Sequence, residues 1–188
     1  DLVRLAERAE ASGFDFCSIS DHLHPWVSEQ GHSPFVWSVL GAIAAVTERI
    51  EVLTGVTCPI IRTHPAIVAH ASATTSLLFD GRFSLGVGTG EALNEHVHGD
   101  KWPRPEVRLE MLDEAVAVIR GLWSGETQDH SGRYYEVENA RLFDPPEVAP
   151  PIIVSGFGPV AIDLAGRIGD GFIGHGSSED AVERCTSA

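Results

Sequence analysis

The chain has 188 residues, a formal net charge of −14 and 43% hydrophobic side chains. That is enough apolar material for the core of one ordinary domain, and neither a membrane-length apolar run nor a signal-peptide pattern is present. The acidic balance argues against nucleic acid and anionic membranes as partners, while a local nest of backbone N–H groups still binds a phosphate inside an acidic protein.

Leu2, Leu5, Ala6 and Ala9 fall at i, i+3, i+4 and i+7, with Gly13 after them as a helix stop. Residues 14–20 read as a buried strand, 35–48 as a helix and 50–55 as the next strand. A helix follows over 65–78, with Pro65 in its first turn. Residues 83–88 form a strand ending in glycines. Residues 105–123 make a long amphipathic helix, with Leu109, Leu112, Val116, Ile119 and Trp123 on one stripe. Residues 132–143 alternate like a hairpin arm, 151–155 read as a strand, 160–166 as a helix and 171–174 as a strand. Residues 178–188 begin a further helical pattern.

Alternating strands and helices imply an α/β fold with a parallel sheet. No repeat, low-complexity tract or linker interrupts residues 1–188, so one domain is expected. Five strands are too few to close an eight-stranded barrel, and Asp1 opens directly on a helix with no initiator methionine. The expectation is a partial (β/α)8 TIM barrel, an N-terminal fragment lacking its first strand and its last strands.

In such a barrel, chemistry sits at the C-terminal ends of the strands. Every predicted strand end here is polar or glycine-rich. Ser20-Asp21-His22-Leu23-His24-Pro25-Trp26 follows the first, Thr54-Gly55-Val56-Thr57-Cys58-Pro59 the second, and Gly88-Thr89-Gly90-Glu91-Ala92-Leu93-Asn94-Glu95 the third. Ser155-Gly156-Phe157-Gly158-Pro159 follows the fourth and Gly174-His175-Gly176-Ser177-Ser178 the fifth.

Each has a bland reading beside the functional one. An Asp-His pair after a strand is more often a turn or capping pair than a catalytic one. Gly86, Gly88 and Gly90 miss the dinucleotide spacing G-x-G-x-x-G and suit a tight turn needing φ > 0. Glu91 fits a carboxylate at a helix start, and Trp26 and Trp102 fit ordinary packing. Two H-x-H pairs, His22/His24 and His96/His98, raise a metal-dependent barrel hydrolase. No lysine at a later strand end bridges two metals, so the expected metal set is none. Cys17, Cys58 and Cys185 make neither a disulfide framework nor a zinc spacing, which suits a cytoplasmic protein.

Taken together, Asp21-His22 with Trp26, the segment GTGEALNE at 88–95 and Gly169-Asp170-Gly171-Phe172 resemble the luciferase-like flavin and deazaflavin oxidoreductases. The likeness is greatest to the subgroup that contains F420-dependent glucose-6-phosphate dehydrogenase. It runs the length of the chain, including Leu122-Trp123-Ser124-Gly125 and Tyr134-Tyr135.

The resemblance implies hydride transfer between an alcohol, or an aldehyde or ketone in reverse, and coenzyme F420. It implies three catalytic residues. His22 would be the base for the hydroxyl proton, Trp26 would hold charge beside it, and Glu91 would be the acid at ring N1. An imidazole suits its role because it exchanges protons near neutrality. Asp21 and Asn94 match cofactor contacts. Gly55 and Val56 match a bulge behind the ring, usually with a non-proline cis peptide. Gly156, Phe157 and Gly158 match the loop at the cofactor tail.

Three positions depart from the pattern. Cys58 stands where a threonine is expected, Phe157 replaces a glycine, and Ser178 takes the place of a lysine that holds a substrate phosphate. A sugar phosphate is therefore not the expected substrate. FMN, in a luciferase-like monooxygenase, is the alternative cofactor. A small-molecule substrate and, for the whole protein, a homodimer complete the expectations.

Overall fold

A computed structural model of the chain describes residues 1–174. The expectations placed on Ser178 and its neighbours lie outside the described residues. Helix α1 (Leu2–Ala11) starts on Asp1, whose carboxylate accepts the Val3 N–H at 3.1 Å. Then come β1 (Phe16–Ile19), α2 (Val36–Ala44), β2 (Glu51–Thr54), α3 (Pro65–Phe79) and β3 (Phe83–Val87). A single turn, α4 (Ala92–Glu95), leads to α5 (Pro105–Trp123), the antiparallel pair β4 (Gln128–Ser131) and β5 (Glu136–Ala140), then β6 (Ile152–Ser155), α6 (Pro159–Ile168) and β7 (Gly171–Ile173).

The main sheet runs β1-β2-β3-β6-β7, and every neighbouring pair is parallel. This is the expected α/β half-barrel, with β4 and β5 as an excursion between α5 and β6. Register decides where the site lies. Ile19 pairs with Thr54, Val87 with Val154, and Ser155 with Ile173. Parallel strands in this register finish together, so the loops after them emerge on one rim.

Helices cover one face. Val52, Leu85, Val87, Ile152 and Val154 from the strands pack with Val68, Phe79, Leu112, Ile119 and Trp123 from α3 and α5, all at most 4% exposed. Burying side chains of this size stabilises by roughly 1.5–3 kcal/mol each. The indole N–H of Trp123 donates to the Ala69 carbonyl at 3.1 Å, which satisfies its polar edge inside the core and ties α5 to α3. At the open edge of β1, Phe14 and Phe16 remain exposed. Among the described residues no helix is long and apolar enough to cross a membrane.

Most element ends shift by one or two residues from expectation, and three of the shifts have an evident physical reason. The helix expected over 35–48 ends at Ala44 because the Glu10 carboxylate takes the backbone N–H groups of Glu48, Arg49 and Ile50. The helix expected over 160–166 continues through Gly166 to Ile168, and Gly169 caps it. The hairpin begins earlier than expected, because its first strand is the all-polar Gln128-Asp129-His130-Ser131.

Candidate active site

The rim encloses a cavity of about 640 Å3. Its lining comes from all five strand ends, including Asp21, Val56, Glu91, Gly156 and Gly174, the convergence the barrel reading required. Of the residues singled out from sequence, Asp21, His22, Trp26, Gly55, Val56, Cys58, Glu91, Asn94, Gly156 and Phe157 line it. Gly158 does not; it precedes α6 as its N-cap. The Gly55–Val56 peptide is cis, the conformation implied by the resemblance.

The glycines at the end of β3 and just after it let neighbouring segments approach closely. A Cβ on Gly86 would sit 1.8 Å from the Thr54 carbonyl oxygen. At Gly90, φ is +67°, and a Cβ would lie 2.5 Å from the Cys58 sulfur. The tight-turn reading therefore holds at Gly90 alone of the three, since Gly86 lies inside β3 and neither Gly86 nor Gly88 has a positive φ; Gly88 and Gly90 bring bare backbone to the cavity wall.

His22 and Trp26 form one wall, in an edge-to-face pair with centroids 5.3 Å apart. The His22 carbonyl accepts the Ser33 hydroxyl at 2.7 Å, which folds the following loop back over it. Glu91 lines the same cavity as the N-cap of α4, with its side chain exposed and making no cap hydrogen bond. Its carbonyl does the capping, accepting from Asn94 and Glu95 at 3.0 Å each.

Asn94, 3% exposed, has a role that sequence reasoning missed. Its Oδ1 accepts the N–H groups of Leu23 and His24, both at 2.9 Å, and so braces the loop after β1 against α4. Arg62 was missed altogether. It bridges Asp21 and Glu95 at 2.9 and 3.2 Å, and all three side chains are 8% exposed or less. Burial works against its charge, but Asp21 and then Glu95 outweigh that and hold the guanidinium protonated above its usual range. Cys58 is pushed well up, first by burial and then by the Glu95 charge beside it, so it is a neutral thiol on the wall. The partners of Arg62 lie 33 and 41 positions away, a spacing without a local signature.

Arg108 of α5 also lines the cavity. Its guanidinium sits 4.5 Å above the Trp102 ring, and Nη1 donates to the Pro103 carbonyl at 2.6 Å. Among the described residues, four buried side-chain polar atoms lack a partner, and three belong to cavity-lining residues: Asp21 Oδ2, Asn94 Nδ2 and Arg108 Nε. Buried polar groups are nearly always satisfied. One acceptor oxygen and two donor N–H groups, one of them on a guanidinium, left without partners around one cavity therefore point to a polar, partly anionic ligand. Among the described residues no group of three or more His, Cys, Asp or Glu gathers as metal ligands, and His96 and His98 lie exposed.

Comparison with known proteins gives a consistent set of similarities. The family description "Luciferase-like monooxygenase" matches residues 1–186. The chain is 44% identical over 173 residues to the F420-dependent glucose-6-phosphate dehydrogenase of Microbacterium testaceum, covering 92% of this chain and 52% of that protein. It is 46% identical over 172 residues to the F420-dependent hydroxymycolic acid dehydrogenase of Mycobacterium tuberculosis, covering 92% of this chain and 48% of that one. Among solved structures, an F420-dependent secondary alcohol dehydrogenase in complex with an F420-acetone adduct superposes with a TM-score of 0.93 at 35% identity. That match covers 98% of this chain and 58% of the other. The chain spans about half the length of the curated relatives it matches.

Proposed function

This chain belongs to the luciferase-like monooxygenase family, and from that premise we propose that it carries the coenzyme half of an F420-dependent oxidoreductase acting on an alcohol carbon. The observation that carries the reading is the cavity. It is lined by the His22–Trp26 pair and by Glu91, and by Asp21 and Asn94, each with a buried polar atom left unpaired. The two relatives and the alcohol dehydrogenase structure, all F420-dependent by name, support F420 over FMN.

The residues fit such a coenzyme. The volume lies in the range of cofactor pockets, roughly 300–1,000 Å3. Asp21 Oδ2 is free to accept and Asn94 Nδ2 to donate. The Gly55–Val56 and Gly88–Gly90 backbones form side-chain-poor walls for a flat ring, and Gly156 and Phe157 flank the space beyond it. Arg108 supplies a positive charge for an anionic tail in a chain that is acidic overall.

When bound, the deazaflavin supplies a ring carbon that accepts a hydride. His22 takes the hydroxyl proton as the carbinol C–H pair leaves and the carbonyl forms. Trp26, packed against the imidazole, keeps it turned towards the cavity. Glu91 would hold the proton that the bound ring takes up at N1. The substrate is an alcohol, or the matching aldehyde or ketone in reverse. Trp26, beside the proposed base, is 57% exposed and apolar, which suits a carbon skeleton better than a sugar phosphate.

Titration of the full chain with F420 and separately with FMN, followed by quenching of tryptophan fluorescence, tests the reading. Saturable quenching by F420 at lower concentration than FMN is expected. Tight FMN binding with no response to F420 would overturn it.

A further inference from the structure

Arg62 is absent from the cavity wall, yet it grips residues on either side of it. Its Nη2 donates to Asp21 Oδ1 at 2.9 Å and to the Asp21 carbonyl at 2.8 Å. Its Nε donates to Glu95 Oε1 at 3.2 Å, and its backbone N–H to Glu95 Oε2 at 3.1 Å. One Asp21 oxygen is thereby held and the other, Oδ2, is left unpaired in a residue that lines the cavity. On the far side of His22, Asn94 Oδ1 accepts from Leu23 and His24. The residues just before and just after His22 are thus both fastened to α4, whose N-cap is Glu91.

We propose that Arg62 is a positioning residue: it locks the loop after β1 and α4 into one unit, which presents Asp21 Oδ2 to the coenzyme and fixes His22 relative to Glu91. The inference rests on the F420 reading above. Its physical basis is that a planar guanidinium holds its N–H groups at fixed angles and so sets the directions of two carboxylates at once, whereas the three donors of an ammonium turn freely on a flexible stem. Removing one member of a buried ion cluster leaves an uncompensated charge that rearranges its surroundings.

The test uses the full chain with Arg62→Ala and Arg62→Lys. F420 dissociation constants come from fluorescence titration, turnover from steady-state kinetics, and folding from thermal melts. Arg62→Ala is expected to raise the F420 Kd by about 10- to 100-fold, by analogy with the loss of a residue that orients a metal ligand. Added guanidinium ion should recover most of that loss. Arg62→Lys, which keeps the charge but not the fork, should fold and give an intermediate Kd with reduced kcat. If Arg62→Ala does not fold, Arg62→Lys decides alone. Folded variants whose Kd and kcat equal wild type, with only the melting temperature lowered, would overturn the proposal. A wild-type protein that binds no F420 would overturn the F420 reading and this inference with it. Wild-type binding with unaltered variants overturns this inference only.

Discussion

His22 and Trp26 meet edge to face, their ring planes at 67°. Such a contact is worth about 0.5–1.5 kcal/mol beyond burial and restrains the direction of both rings. The backbone around His22 is held separately, by Ser33 at its carbonyl and by Asn94 at the next two N–H groups. The imidazole is therefore a placed group on a fixed loop, as a proton acceptor beside a reacting hydroxyl has to be.

Replacing His22 by alanine should cut kcat with an alcohol by about 10²–10⁴-fold, the usual contribution of a general base. The F420 dissociation constant should stay close to wild type, because the proposed cofactor contacts are made by Asp21, Asn94 and backbone. Steady-state kinetics and a fluorescence titration on the same preparation separate the two effects. Full turnover with lost affinity would make His22 a binding residue and the proposed mechanism wrong.

Glu91→Gln changes the proposed acid and little else. The carboxyl caps nothing, since the Glu91 carbonyl makes the bonds that start α4. The melting temperature is expected to move by less than a degree or so. The rate of ring reduction in a single turnover should fall by about 10²-fold or more, because an amide delivers no proton. An unchanged reduction rate would remove Glu91 from the chemistry.

Glu114 offers a test of the scaffold. Its carboxylate, 14% exposed, accepts from the N–H groups of Arg133, Tyr134 and Tyr135 and lies 3.2 Å from His130 Nε2, pinning the β4–β5 hairpin to α5. Burial opposes its charge, but these hydrogen bonds win and hold the carboxyl below its usual range. The stabilisation is present above the unfolded-state value of about 4.3 and is lost as pH falls through the lower folded-state value. Glu114→Gln should cost roughly 1.5–3 kcal/mol at pH 7, the range for hydrogen bonds to a charged group. The gap in melting temperature from wild type should close as the pH is lowered below that unfolded value. A gap that stays constant with pH would show that the carboxylate charge plays no part.

The sequence made the rim legible because each strand ends in residues that strands and cores avoid. Asp21-His22, Gly55 and the glycine run stand where apolar periodicity breaks, and the register of the parallel sheet then brings them together. What lay hidden was long-range and polar. Arg62 finds its partners across 33 and 41 residues, and Asn94 reaches loop N–H groups 70 and 71 residues back. Neither leaves a periodic trace. Local polarity also concealed β4, whose four residues show no apolar alternation, and Glu10 ended α2 from a different helix. Sequence patterns report what a segment does to itself, whereas these features are set by what distant segments do to it.

The central claim is that this site moves a hydride between an alcohol carbon and F420. Rapid mixing of the full chain with F420 and a secondary alcohol, protonated or deuterated at the carbinol carbon, tests it most directly by following the visible absorbance of the oxidised deazaflavin. The account predicts that the absorbance bleaches with the protonated alcohol, bleaches several-fold more slowly with the deuterated one, and returns when the matching ketone is added in excess. No bleaching with any alcohol by a protein that binds F420, or reduction of FMN in its place, would contradict it.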